Sequence, residues 1–119
     1  MKGQKFFLET RLAQANTLVT VIDMQGELDG QVADFFEQTL LDLFKKGKYK
    51  LVLNLEKLTY VSSAGFGVLM SLIKNVRKNR GDIKVTNLRP EVYSLFELLD
   101  LPGLFHILKT ESEAIRNFQ

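Results

Sequence analysis

The sequence has no cysteine in its 119 residues, only two prolines and one histidine, and no long apolar run. Without cysteine the chain has no disulfide, no thiolate metal site and no cysteine nucleophile. The apolar runs are too short to span a bilayer, and no charged and then apolar leader opens the chain. We therefore expect a soluble cytoplasmic protein that does not insert into a membrane.

The net charge of +2 is small, and charges of both signs are interspersed. One local basic cluster comprises Lys74, Arg77, Lys78 and Arg80. Nucleic-acid binding would require a broader basic stripe or aromatic platforms in a known module. We interpret the cluster as a solvated helix face and predict no nucleic-acid partner.

Apolar spacing and turn residues predict a single α/β domain over 1–119, because no repeat or linker divides the chain. The predicted order β-β-α-β-α-β-α-β-α implies a mixed, largely parallel sheet of about five strands, with an N-terminal hairpin and about four helices. The predicted strands cover 6–13, 17–24, 50–55, 83–86 and 105–109. Two predicted helices cover 31–46 and 63–80, and a third begins at Pro90. A fourth follows Thr110, which has capping-box spacing with Glu113.

A glycine-bounded segment over 26–30 is predicted to be a turn in which Asp29 caps the following helix. The pair Glu27 and Asp29 could instead take part in acid–base chemistry or bind a cation. Loops at one edge of an α/β sheet cluster, so we expect Asp29 to lie near Ser63.

Ser62 and Ser63 lie where a strand gives way to a helix. Unpartnered N–H groups and the positive end of the helix dipole favour an anion at such a place. A phosphate on a serine there would add about −1.5 to −2 charges and three strong acceptors. The alternative is that one of the two serines only caps the helix.

Gly65 and Gly67, which flank Phe66, lie inside the predicted helix, where each costs about 0.5–1 kcal/mol relative to alanine. Either close packing of the helix on the sheet or a flat patch for a docking partner would account for them. The pair lacks the lysine and the spacing of a Walker A motif and fails the dinucleotide fingerprint.

No catalytic constellation is evident in the sequence. His106 is the only histidine and lies among apolar residues, so we interpret it as a structural or rim residue without a zinc site. A serine nucleophile would have no evident base. We predict no enzyme activity, no cofactor and no metal.

The segments Gly26-Glu-Leu-Asp29, 51–55 and Tyr60-Val-Ser-Ser-Ala-Gly-Phe-Gly-Val-Leu69 together resemble the STAS domain, the fold of bacterial anti-sigma-factor antagonists. The likeness extends over nearly the whole chain, to 87–90 and 111–114. It implies a protein switch without enzyme activity. In that family the antagonist binds an anti-sigma factor that is also a serine kinase, and so frees the sigma factor.

In the family that kinase phosphorylates a serine at the start of the helix after the third strand, and a phosphatase reverses the reaction. Alignment on Gly65-Phe-Gly67 places the acceptor at Ser63, with Ser62 as the less favoured candidate. The resemblance and the residues together suggest a partner-binding surface made of Gly26, Glu27, Asp29, Ser62, Ser63, Gly65, Phe66 and Gly67.

The sequence departs from the family pattern at three positions. Ser62 and Asn54 stand where aspartates are common, and Ala64 stands where serine or threonine is common. In the family the two aspartates commonly flank the acceptor. Their absence here supports an alternative, a constitutive and unphosphorylated STAS subunit of a transport or signalling complex. A third interpretation is a small α/β enzyme or nucleotide binder, which would show turnover or tight nucleotide binding.

Overall fold

The computed structural model describes residues 6–118. Its elements in chain order are β1 Phe7–Leu12, β2 Thr20–Leu28, α1 Ala33–Lys45, β3 Lys50–Val61, α2 Ser63–Lys78, β4 Asp82–Thr86, α3 Pro90–Leu98, a 3-10 turn Leu101–Gly103, β5 His106–Leu108 and α4 Glu111–Arg116. No helix within 6–118 has the length and apolar character needed to cross a membrane.

The five strands form one sheet in the order β1-β2-β3-β4-β5. The pair β1–β2 is antiparallel, and the other three pairs are parallel. Each parallel connection passes through a helix and moves one strand in the same direction, so right-handed crossovers place α1, α2 and α3 on one face. The predicted fold class, a mixed sheet with an N-terminal hairpin and four helices, is confirmed.

The main core lies between the sheet and helices α1, α2 and α3, and includes Phe36, Leu53, Leu69, Ile73 and Phe96. A smaller cluster lies on the opposite face, where α4 contributes Ala114 and Ile115. Burial of apolar surface on both faces explains why β3 reads as a nearly continuous apolar run.

Strands β2 and β3 continue together beyond the end of β4, which stops at the Asn54–Thr86 pair. Their shared ladder extends to the Leu28–Val61 pair and contains two register shifts. The prediction of a turn starting at Gly26 is therefore wrong, because 26–28 belong to β2. Gly26 has a φ of 98° at one of these irregularities, a conformation that glycine adopts easily. In the sequence, a glycine at this position resembles a turn residue.

Helix α1 begins at Ala33, and its N-cap residue Val32 makes no side-chain cap. The predicted cap by Asp29 is wrong, because Asp29 Oδ1 accepts the N–H of Gln31 at 2.9 Å and stabilises the turn before the helix. The predicted capping box is confirmed: Thr110 accepts the N–H of Glu113, whose carboxylate accepts the N–H of Thr110.

Candidate partner-binding site at the start of helix α2

The two adjacent serines have different environments. Ser62 is the N-cap of α2, and its Oγ accepts the backbone N–H of Gly65 at 3.2 Å. Ser63 is the first residue of the helix. Ser62 is half-buried and Ser63 is exposed. Ser62 therefore caps the helix, and Ser63 presents a hydroxyl to solvent.

The start of α2 is electrostatically suited to an anion. The first turn carries no acidic side chain. The N–H groups of Ser63 and Ala64 have no intrahelical acceptor, as expected for the first two positions of a helix. The N–H of Phe66 donates to the carbonyl of Ser62 at 2.9 Å and closes the first turn. The positive end of the helix dipole is therefore directed at the surface around Ser63.

The connection between β2 and α1 lies against this helix start. The backbone N–H of Ser62 donates to the carbonyl of Leu28 at 2.9 Å. A β-carbon added at Gly30 would lie 4.0 Å from the β-carbon of Ala64. These contacts place the short connection containing Asp29 beside the start of α2, as the clustering of loops at one sheet edge predicts.

The two carboxylates near this connection differ in their setting. Glu27 is half-buried in β2, where it pairs with Tyr60 of β3. Asp29 is also half-buried and accepts a hydrogen bond in its own turn. Among residues 6–118, no group of three or more acidic or histidine side chains could hold a metal ion.

Glycine occupies positions 65 and 67 of α2 for two different physical reasons. A β-carbon at Gly65 would lie 2.8 Å from the carbonyl oxygen of Leu28 and 3.0 Å from Cγ1 of Val61, so close packing excludes a larger residue. A β-carbon at Gly67 would meet nothing within 4 Å, and this residue is exposed. Of the two explanations left open by the sequence, packing applies to Gly65 and an open patch applies to Gly67.

Burial corrects three members of the predicted binding surface. Phe66 is only 4% exposed and packs edge-on against Phe96, with ring centroids 5.2 Å apart. Gly26 and Gly65 are buried as well. The glycines on either side of Phe66 had suggested a docking patch, but α2 turns this aromatic ring into the core. These three residues are buried beneath the site and do not line its surface.

Two exposed residues near Ser63 were absent from the predicted surface. Ala64 and Met70 are exposed on α2, and Met70 lies at i+7 from Ser63, with Gly67 at i+4 between them. Helical spacing from Ser63 was the signal that could have identified Met70. We call the patch formed by Asp29, Gly30, Ser62, Ser63, Ala64, Gly67 and Met70 the Ser63 surface.

Asn54 is not part of the surroundings of Ser63. It lies seven residues before the end of β3, which corresponds to roughly 20 Å of extended chain. Its Nδ2 donates to Glu111 Oε1 of α4 at 3.0 Å, and its Oδ1 accepts the N–H of Glu56 at 3.1 Å. The interpretation that Asn54 removes a carboxylate flanking the acceptor is therefore wrong for its position in this fold.

A hydrogen-bonded ion pair between Arg11 and Glu111 joins α4 to strand β1. Arg11 Nη2 donates to Glu111 Oε1 at 2.7 Å, and Arg11 Nε donates to Asp23 Oδ2 at 2.8 Å. The guanidinium of Arg11, assisted by Asn54, holds the pKa of Glu111 below its usual range. The same two carboxylates raise the pKa of Arg11. This cluster stabilises the fold and lies away from the Ser63 surface.

The remaining candidates lie outside the Ser63 surface. His106 is exposed on the edge strand β5, with Nδ1 3.3 Å from Lys84 Nζ. The residues of the basic cluster are exposed along and after the last turns of α2, and Arg77 pairs with Asp82 at 3.1 Å. The latter arrangement fits a solvated helix face.

Known proteins share this sequence pattern and fold. The family model for the STAS domain matches residues 11–114. The anti-sigma F factor antagonist of Paenibacillus polymyxa is 29% identical over 91 residues, which cover 76% of this chain and 75% of the relative. The anti-sigma-B factor antagonist of Staphylococcus aureus is 26% identical over 86 residues, covering 72% and 80%.

Solved structures agree with the fold. An anti-sigma factor antagonist from Mycobacterium paratuberculosis superposes with a TM-score of 0.83 at 20% identity, covering 95% of this chain and 93% of the other. The match to the family model extends over most of the chain and includes both the β2–α1 connection and the start of α2. The chain is a member of the STAS domain family.

Proposed function

We propose that this protein is an anti-sigma-factor antagonist whose Ser63 surface binds an anti-sigma factor, and that phosphorylation of Ser63 switches this binding off. The observation that carries the proposal is the exposed hydroxyl of Ser63 at the first position of α2, beside the β2–α1 connection. The relatives named as antagonists of anti-sigma factors support the identity of the partner.

Ser63 is a better phosphate acceptor than Ser62. The hydroxyl of Ser62 is engaged with the N–H of Gly65, and that residue is half-buried. Transfer of a phosphoryl group needs an accessible hydroxyl that can enter another protein's active site. The exposure of Ser63 satisfies this condition without unfolding the start of α2.

The free domain can accommodate a phosphate at Ser63. The first turn of α2 has no acidic side chain, so a phosphate meets no carboxylate of its own turn. The unpartnered N–H groups and the helix dipole interact favourably with negative charge. Phosphorylation therefore acts on the interface with the partner and leaves the fold of the domain unchanged.

At an interface with a partner, a phosphate on Ser63 is unfavourable. It adds about −1.5 to −2 charges and bulk to a flat surface on which Gly67 leaves space for a partner. Unfavourable charge juxtaposition at an interface costs several kcal/mol, and about 1.4 kcal/mol changes affinity tenfold. The partner is an anti-sigma factor with serine kinase activity, and a phosphatase restores the binding state.

Variants of Ser63 test the switch. We expect Ser63→Ala to bind the cognate anti-sigma factor like the unmodified protein, and Ser63→Asp to bind at least about tenfold more weakly, which is about 1.4 kcal/mol. Ser112→Asp is the matched control, because Ser112 is exposed in the first turn of α4 on the other side of the sheet. Equal affinities for all three variants would contradict the proposal.

The absence of an acidic residue at position 62 favours a second candidate, a constitutive STAS subunit that is not phosphorylated. The two candidates differ in one measurement. Incubation with the cognate kinase and ATP, followed by mass analysis, gives phosphate on Ser63 for the switch. Binding to a partner complex with no phosphate incorporated identifies the constitutive subunit.

A further inference from the structure

One edge of the sheet is formed by β1, whose residues 8–12 read Leu-Glu-Thr-Arg-Leu. On either side of Thr10 the segment has a leucine two residues away, and one residue away it has side chains of opposite charge, Glu9 and Arg11. We propose that β1 pairs with β1 of a second copy of this chain in antiparallel orientation, with Thr10 at a two-fold axis. The two five-stranded sheets then join into one continuous sheet.

The hydrogen-bonding groups of β1 have the required direction. The N–H of Ala13 donates to the carbonyl of Val19 at 2.9 Å, so Ala13 bonds toward β2. Bonding direction alternates along an antiparallel strand, so the N–H and C=O groups of Leu8, Thr10 and Leu12 point away from β2. Among residues 6–118 no strand lies on that side. This row of groups is available to a second strand.

Charge selects a single register for self-pairing. The backbone N–H and C=O groups that point away from β2 in one copy must pair with the same kind of group in the other copy. This condition allows the two-fold axis to pass through Glu9, Thr10 or Arg11 while most of β1 remains paired. An axis at Glu9 or at Arg11 places two like charges directly opposite each other, which is destabilising. An axis at Thr10 places each Glu9 opposite Arg11 of the other copy and each Leu8 opposite Leu12.

The side chains around the edge fit this pairing. Glu9 lies opposite Asp23 of β2, and Glu9 forms no ion pair among residues 6–118. Arg11 donates to Asp23 and Glu111 through Nε and Nη2, so among residues 6–118 its Nη1 has no partner and can donate to a carboxylate of the second copy. The second copy thus gives the acidic Glu9–Asp23 pair a basic neighbour.

Exposed apolar side chains flank the same edge. Leu12 is 48% exposed, and Phe35 of α1, which contacts Phe6 edge-on, is 56% exposed. In the proposed register Leu12 of one copy lies opposite Leu8 of the other, and Leu8 is two residues from Phe6 along the chain. Charged residues usually protect an edge strand against pairing, and here their order makes the strand complementary to itself.

The oligomeric state tests this interface. Sedimentation equilibrium of the unmodified protein should show a concentration-dependent dimer, and Glu9→Arg should raise the dimer dissociation constant at least about tenfold. Glu56→Arg is the matched control, because it reverses an exposed charge on the inner strand β3. A monomer at all concentrations, or equal association for Glu9→Arg and the unmodified protein, would overturn the proposal.

A cysteine substitution tests the register itself. Hydrogen-bonded partners in an antiparallel pair have Cα atoms about 5.5 Å apart, within the range that a disulfide can bridge. The chain has no native cysteine, so Thr10→Cys should form a disulfide-linked dimer on oxidation, and Glu9→Arg in that variant should suppress it. Thr17→Cys, in the exposed β1–β2 connection, is the control. Equal cross-linking at positions 10 and 17 would overturn the register.

The Ser63 surface contains no residue of β1, so the two proposals fail separately. Glu9→Arg should bind the anti-sigma factor as the unmodified protein does. A Glu9→Arg variant that also loses this binding, with an unchanged thermal unfolding midpoint, would overturn the separation of the two surfaces.

Discussion

The carbonyl oxygen of Leu28 leaves no room for a β-carbon at Gly65, because that added atom would lie only 2.8 Å from the oxygen. The same carbonyl accepts the N–H of Ser62 at 2.9 Å. The end of β2 therefore fixes the start of α2 by a hydrogen bond and by a contact that only glycine permits. Ser63 owes its position to this junction.

We predict that Gly65→Ala lowers the free energy of unfolding by about 1–3 kcal/mol, because the added methyl group overpacks against Leu28 and Val61. Gly67→Ala is the control in the same helix, where the added group meets nothing within 4 Å. It should stabilise the protein by about 0.4–1 kcal/mol through the unfolded state. Urea unfolding measures both, and equal effects of the two substitutions would contradict the packing assignment.

The two serines should differ in their contribution to stability. Ser62→Ala removes the acceptor for the N–H of Gly65 and should cost about 1 kcal/mol of unfolding free energy. Ser63→Ala alters an exposed side chain and should change this free energy by no more than about 0.5 kcal/mol. Thermal or urea unfolding distinguishes them. A larger loss for Ser63→Ala would reverse the roles given to the two hydroxyls.

The stability of the protein should depend on Glu111 in acid. Arg11 lowers the pKa of Glu111 in the folded state, so the unfolded chain takes up this proton first as the pH falls. The stabilisation is therefore complete above the unfolded pKa of about 4.3 and is lost as the pH falls through the lower folded value. We expect Glu111→Gln to be less stable at neutral pH, and its difference from the unmodified protein to shrink in acid.

Urea unfolding across this pH range measures the effect of Glu111. Glu56→Gln is the control, because Glu56 is exposed and forms no ion pair among residues 6–118. At neutral pH the Glu56→Gln substitution of this exposed side chain should change the free energy of unfolding by no more than about 0.5 kcal/mol. A pH-independent difference for Glu111→Gln would show that the contact with Arg11 does not act on the folded state as described.

The sequence predicted the element order, because helical and alternating apolar periods are strong signals in this chain. The start of α2 at Ser63 and the capping box at Thr110 followed from local chemistry alone. The full extent of β2 and β3 did not. Two register shifts interrupt the alternation, and Gly26 with its positive φ of 98° resembles a turn although it lies within a strand.

The candidate site was predicted in part. The sequence identified the serines and the nearby connection, but it assigned Phe66 to the surface. Whether a residue between two glycines faces the core depends on how α2 is rotated on the sheet, and that rotation is fixed by long-range packing against Phe96. The position of Asn54 depended likewise on the length of β3.

The most direct test of the account is the affinity of the cognate anti-sigma factor for this protein carrying a phosphate on Ser63. Isothermal titration calorimetry would compare the stoichiometrically phosphorylated and the unmodified protein, with intact mass confirming the modification. The account predicts that the phosphate weakens binding at least about tenfold, which is about 1.4 kcal/mol. Equal affinities of the two forms would contradict it.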